Sequence, residues 1–279
     1  MHFCIVGTGR CGSTALGNIL SSHPELFVFP ESHWIPKMYE FFGTGTGPVG
    51  EFVEIVLRTT HVTGQPVVRC DEATLREWFP ARDDRITVAG FCDRLGRLFA
   101  EAAGKRLWAD KTPDYGGYMA MLQTIWPACR FVHLIRCGVE VALSMSRHPG
   151  YQWLAAAGEA SWVPPSFNGY HRAAQVGTVT LNHFADLWER RLLRIRDEAL
   201  RLHRGSLLEV RFEDLLNRPE RTLREICSFV GLAAPPDWVA AAASRVDPDR
   251  VNSRRTEEAL QSMSTPQRRL LAELGYAAD

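Results

Sequence analysis

Hydrophobic positions along this chain follow two periods. Short apolar runs recur at Phe3–Val6, Leu26–Phe29, Arg106–Ala109, Arg130–Ile135 and Ser206–Val210, and read as strands. Between them the spacing becomes helical. Ser13–Ser22 puts Ala15, Leu16, Ile19 and Leu20 on one face. Thr87 is placed to cap a helix carrying Val88, Phe91, Leu95, Leu98 and Phe99, which Gly104 ends. The last two strand candidates are also followed by helical patterns. This alternation predicts an α/β fold: a parallel sheet flanked by helices on both faces, in a single domain. Ligands on such sheets sit at the carboxyl ends of the strands, which directs attention to the residues just after each run. Two segments break the rhythm. The Gly-rich stretch Gly43–Gly50 predicts a mobile loop. The stretch from 150 to 177 contains Trp and Pro, is weakly periodic, and reads as an inserted lid over the site.

Composition narrows the classes. At 279 residues the chain has length for one or two domains and buries a core without disulfide or metal staples. Basic and acidic residues balance at 32 each, which argues against a cationic nucleic-acid binder while leaving room for a local basic pocket. Of the basic residues 29 are Arg, so Lys37, Lys105 and Lys111 stand out. Seven cysteines, odd in number and without a C-x-x-C pair, argue against a disulfide framework or zinc ribbon and for a reducing compartment. No basic leader precedes Phe3, and the longest apolar run, Trp238–Ala243, is far short of a membrane span. The expectation is a soluble cytoplasmic protein.

The first strand runs into Gly7-Thr-Gly-Arg10-Cys11-Gly12-Ser13-Thr14, which opens a helix. The glycine spacing is that of a P-loop, with Ser13 where the lysine belongs. Tight turns and a helix N-terminus converge backbone N–H groups on an anion. Ser13 and Thr14 add hydroxyls, and Arg10 adds a charged fork. The missing lysine speaks against nucleoside-triphosphate transfer and leaves a cradle for a smaller phosphate-like group.

Gly-x-x-Arg-x-Gly-Ser-Thr-x-Leu after a first strand resembles the 5′-phosphosulfate loop of sulfotransferases that use 3′-phosphoadenosine-5′-phosphosulfate (PAPS), and the Arg inside it is similar to the tyrosylprotein and bacterial branches. The resemblance implies the sulfotransferase fold and a phosphosulfate cradle made by Arg10, Cys11, Gly12, Ser13, Thr14 and Ala15. It extends to Arg136, at the end of a strand, and Ser144, eight residues along the next helix. These resemble the pair that grips the 3′-phosphate of the nucleotide. Phe212, in Phe-Glu-Asp, matches the family's Tyr-Glu-Asp, whose ring lies by the adenine; the ring is kept and the hydroxyl lost. Ser253 and Arg254 correspond to a C-terminal basic segment that closes over the 3′-phosphate.

Sulfuryl transfer needs a base for the acceptor hydroxyl and cations for the leaving phosphate. The sequence shows no metal-ligand cluster, and the resemblance implies no metal. Pro30-Glu31-Ser32-His33 follows the second strand; Glu31 matches the base of the tyrosylprotein branch, and His33 is the alternative, as the commoner base at neutral pH. Asp110-Lys111-Thr112-Pro113 resembles the segment whose Lys stabilises the transferring group, with Arg10 on the leaving-group side. The aromatic group Trp153, Trp162, Phe167 and Tyr170 either lines an acceptor pocket or packs the insertion. The implied reaction moves a sulfuryl group from PAPS to a hydroxyl-bearing acceptor (small molecule, glycan, lipid or peptide tyrosine), releasing 3′,5′-adenosine diphosphate (PAP). A P-loop kinase and a non-catalytic nucleotide-binding module are the alternatives.

Overall fold

Every residue of the first apolar run is buried, on both sides. The computed structural model describes residues 1–60, 65–68, 70–80, 84–158, 179–247 and 257–276. Strand β1 is Phe3–Gly7; Phe3 and Ile5 enter one core cluster, Cys4 and Val6 another. That two-faced burial is what a central parallel strand requires. Each such side chain contributes about 1.5–3 kcal/mol by leaving water.

In chain order there follow α1 (Ser13–Ser21), β2 (Leu26–Phe29), α2 (Ile35–Phe42), β3 (Thr46–Pro48), α3 (Val49–Arg58), α4 (Glu72–Trp78), β4 (Arg85–Thr87) and α5 (Val88–Ala102). Next come β5 (Leu107–Lys111), a 3₁₀ turn at Pro113–Gly117, α6 (Met119–Ile125), β6 (Arg130–Ile135), α7 (Gly138–Met145) and α8 (Pro149–Ala157). The chain continues through α9 (Leu181–Ala199), β7 (Leu207–Arg211), α10 (Phe212–Asn217), α11 (Pro219–Val230), α12 (Pro236–Ala243), α13 (Glu257–Gln261) and α14 (Thr265–Glu273).

The main sheet has the order β2-β5-β1-β6-β7, and all its pairings are parallel. The single-domain α/β fold expected from the alternation is therefore the one observed. β1 lies in the middle, so the chain builds to one side through β2 and crosses to the other with β6. Carboxyl ends converge on one crevice, the place where such sheets bind ligands. One face is covered by α2, α3, α5 and α6, the other by α1, α11 and α12. A third cluster joins α7, α8 and α9 to the C-terminal helices.

Thr87 caps α5 as expected, its hydroxyl accepting from the Gly90 N–H at 3.0 Å. The stretch Gly43–Gly50 corrects an expectation. It holds β3, which pairs antiparallel with β4, and α3 starts inside it at Val49. Pairing a partner strand gives order that a Gly-rich composition does not announce. The third apolar run is also longer than its pattern: β5 continues to Lys111, because Asp110 and Lys111 are buried polar residues in the strand. The stretch from 150 to 177 begins within α8, where Trp153 packs with Tyr151 and Leu154; Trp162, Phe167 and Tyr170 lie outside the described residues. Among the described residues no helix is long and apolar enough to cross a membrane.

Candidate active site

The loop between β1 and α1 owes its shape to three residues with positive φ. Gly9 and Gly12 stand at φ 78° and 97°, open to glycine at no steric cost. Arg10 stands at φ 53°, which costs a side-chain-bearing residue about 1–2 kcal/mol. Neighbours enforce the close approach: a Cβ on Gly9 would lie 1.9 Å from the Tyr151 hydroxyl, and one on Gly12 2.3 Å from the Phe212 ring. No side chain caps α1 at Gly12, so its first-turn N–H groups point from the helix end into the crevice. The Cys11 side chain is fully buried beside Gly7, so Cys11 offers the loop only its backbone.

Arg10 reaches across to α7, its Nε donating to Ser144 Oγ at 3.2 Å. Arg136 donates to the Arg10 carbonyl at 3.4 Å and pairs with the buried Glu140 one turn along. Its guanidinium lies over the Phe212 ring, 4.7 Å from the centroid. Arg10, Arg136, Ser144 and Phe212, far apart in sequence, thus form one continuous wall with the loop. Ser253 and Arg254 lie outside the described residues.

The second wall comes from β2 and β5, neighbours in register Phe29 to Asp110. That register brings the chain just after β2 beside the last residue of β5. Lys111 Nζ donates to Glu31 Oε1 at 2.6 Å and lies 3.5 Å from the Thr14 hydroxyl on α1. On the other oxygen, Glu31 Oε2 is 3.1 Å from His33 Nε2. Burial alone would raise the Glu31 carboxyl, but the His33 hydrogen bond and the Lys111 charge outweigh it and hold the group at about 2. Burial pulls His33 down, yet its hydrogen bond to Glu31 prevails and raises it above the ordinary imidazole value. His33 is therefore the proton-rich partner and Glu31 the carboxylate.

Several site-facing residues have no counterpart in the sequence reading. Arg191 of α9 donates to the Thr8 carbonyl at 2.9 Å, pairs with Asp114 at 2.5 Å, and stacks on Tyr151 at 5.2 Å. It braces the loop from behind. The signal was there: Arg191 falls on the stripe Phe184, Leu187, Trp188, Ile195, a core face where a charge needs a partner. Glu140, inside an otherwise apolar helix, is the same kind of signal. Lys105, by contrast, caps the end of α1 through the Ser21 and His23 carbonyls.

The arrangement is an anion cradle with a carboxylate, an imidazole and an ammonium gathered at its mouth. Comparison with known proteins bears on the family and the fold. A model of the sulfotransferase family matches residues 3–236. The nodulation protein NoeE of Sinorhizobium fredii (strain NBRC 101917 / NGR234) is 25% identical over an aligned 300 residues, covering 98% of this chain. The chain spans 65% of that protein's length. Among solved structures, the sulfotransferase domain from the curacin biosynthetic pathway superposes with a TM-score of 0.59 at 17% identity, covering 99% of this chain and 98% of that one. The sulfotransferase domain of the Synechococcus PCC 7002 olefin synthase follows at 0.54 and 21%, covering 99% and 95%. These similarities in fold, with the match along most of its length, mean that the chain belongs to the sulfotransferase family.

Proposed function

We propose that the protein transfers a sulfuryl group from PAPS to a hydroxyl acceptor and releases PAP. The observation that carries the reading is Lys111, 2.6 Å from Glu31 and 3.5 Å from Thr14 at the mouth of a P-loop without its own lysine. A cation there serves a transferring group and not a nucleotide's β/γ-phosphates. The donor set fits a nucleotide with two separated anionic ends. The α1 N-terminus, Ser13, Thr14 and Arg10 would hold the phosphosulfate. Arg136 and Ser144 would hold the 3′-phosphate, with Phe212 beside the base.

PAPS supplies the sulfuryl group, and its bond to the PAP oxygen breaks as the bond to the acceptor oxygen forms. Glu31 takes the acceptor's proton. His33 holds the carboxylate in place, since it already donates to it. Lys111 steadies the charge on the transferring group, and Arg10 that on the departing phosphate. While Lys111 is shared with the donor it lends less charge to Glu31, whose proton affinity rises accordingly.

Titration calorimetry with PAP and with ATP tests this reading. Tight binding of PAP alone is expected; preference for ATP would turn the site into a kinase-like one and overturn the proposal. Transfer of labelled sulfate from PAPS into a cell extract then identifies the acceptor.

A further inference from the structure

Behind Glu31, Lys111 and His33 lies a buried chain of hydroxyls that takes no direct part in the transfer. Thr112 Oγ1 donates to Asp110 Oδ1 at 2.6 Å and accepts from the Ser32 backbone N–H at 2.9 Å. The Ser32 hydroxyl and the Tyr115 hydroxyl share a hydrogen bond of 2.5 Å. Tyr115 also accepts from the Ile35 N–H at 3.3 Å. Asp110, Thr112 and Tyr115 are wholly inaccessible, and Ser32 nearly so. Polar groups at such depth cost free energy unless paired, so the hydrogen bonds of Thr112, Ser32 and Tyr115 hold the segments they join in one arrangement.

Ser32 is the residue between Glu31 and His33. The Ser32 backbone and its side chain are each pinned, one by Thr112 and the other by Tyr115. The pins have strain to hold, because His33 sits at φ 57°, a conformation an imidazole-bearing residue does not choose unaided. Thr112 also directly follows Lys111. One turn therefore carries the cation and grips the loop that carries the carboxylate.

We propose that Thr112 and Tyr115 are positioning residues that act through Ser32 to keep Glu31 and His33 in register with Lys111. The proposal rests on the reading of Glu31 as the carboxylate facing the acceptor, and its test is independent of any acceptor. The His33 ring is followed by NMR titration of the full chain without ligand, His33→Gln identifying its resonance. Its charged surroundings are Glu31 on its own loop, Asp110 on β5 and Asp114 on the 3₁₀ turn, with Lys111 paired to the other Glu31 oxygen. In Thr112→Val and Tyr115→Phe, each checked for cooperative unfolding, the His33 midpoint moves down toward the ordinary imidazole value. PAP affinity stays within about twofold, while sulfate release from PAPS falls about tenfold or more, as expected when reacting groups shift by a fraction of an ångström. Thr112→Ser restores the wild-type titration. If Thr112→Val does not fold, Tyr115→Phe carries the test alone. An unmoved His33 midpoint in a folded variant overturns the proposal. A moved midpoint in a protein that never consumes PAPS supports the positioning role and sinks the sulfuryl-transfer reading instead.

Discussion

Lys111 Nζ donates to Glu31 Oε1 at 2.6 Å, although 80 residues separate them. The contact follows from β2 pairing with β5, which sets the two strand ends side by side. PAP lacks the sulfuryl group, so a cation that serves only that group contributes little to PAP affinity. Lys111→Met is accordingly expected to lower sulfate transfer from PAPS by roughly 10²–10³-fold, the range for loss of one transition-state donor, while PAP affinity changes little. Lys111→Arg recovers only part, because a planar fork does not replace a point charge. Radiolabelled transfer and calorimetry on the same preparations check both halves; full turnover in Lys111→Met would remove it from the chemistry.

Stability should depend on pH through the same cluster. Glu31 is depressed from 4.5 to about 2, so its contribution is complete above 4.5 and disappears as pH falls through about 2. His33 is raised above 6.5, so its contribution is complete below 6.5 and disappears as pH rises through the folded value. Together they give a plateau between 4.5 and 6.5. Glu31→Gln is expected to flatten both limbs, since it removes one titration and the cause of the other. Urea midpoints measured from below 4.5 to above 6.5, on both sides of the plateau, decide it; a variant with the wild-type profile would show that other groups set the dependence.

How much of this was legible beforehand depends on what kind of signal each residue leaves. β1, β6 and the loop after β1 are written in apolar runs and glycine spacing, which local sterics translate directly into structure. Glu31 and Lys111 were found separately, as residues after strands, and only the sheet order makes them partners. β3 left no trace, because glycine and proline erase the alternation that marks a strand. Arg191 shows only through its phase: in a helix that also carries Arg190, Arg194 and Arg196, its place on the apolar stripe is the one feature that sets it apart from its neighbours. Thr112 stands in the Asp-Lys-Thr-Pro motif without a role of its own there, and Tyr115 leaves no local signal, since a hydroxyl's partner is set by tertiary structure alone.

Arg10 pays a conformational cost for its position. At φ 53° it is a residue that glycine would replace with less strain, and Arg10→Gly is expected to be as stable as the wild type or up to about 1 kcal/mol more so. Arg10→Ala keeps the strain and gains nothing. On the proposed reading both variants lose a charge-assisted contact to the nucleotide, worth about 1.5–3 kcal/mol, and PAP affinity is expected to drop by about ten- to a hundredfold. Thermal unfolding paired with calorimetry separates the two effects. If Arg10→Gly binds PAP as tightly as the wild type, the strain serves some purpose other than phosphate binding.

Arg191 and Asp114 pose the converse problem, a buried ion pair whose loss harms both fold and loop. Their side chains are 6% and 4% exposed, so Arg191→Met strands the Asp114 charge at a cost of about 3–5 kcal/mol. Asp114→Asn added to that variant removes the stranded charge and should recover a large part of the loss. PAP affinity should not recover with it, because the Thr8 carbonyl still lacks the donor that Arg191 supplied at 2.9 Å. Denaturant unfolding of the two single variants and the double variant measures the coupling, and calorimetry on the same set reads the loop. Recovery of PAP affinity alongside stability would make Arg191 a core residue only; recovery of stability alone makes it the brace of the anion cradle.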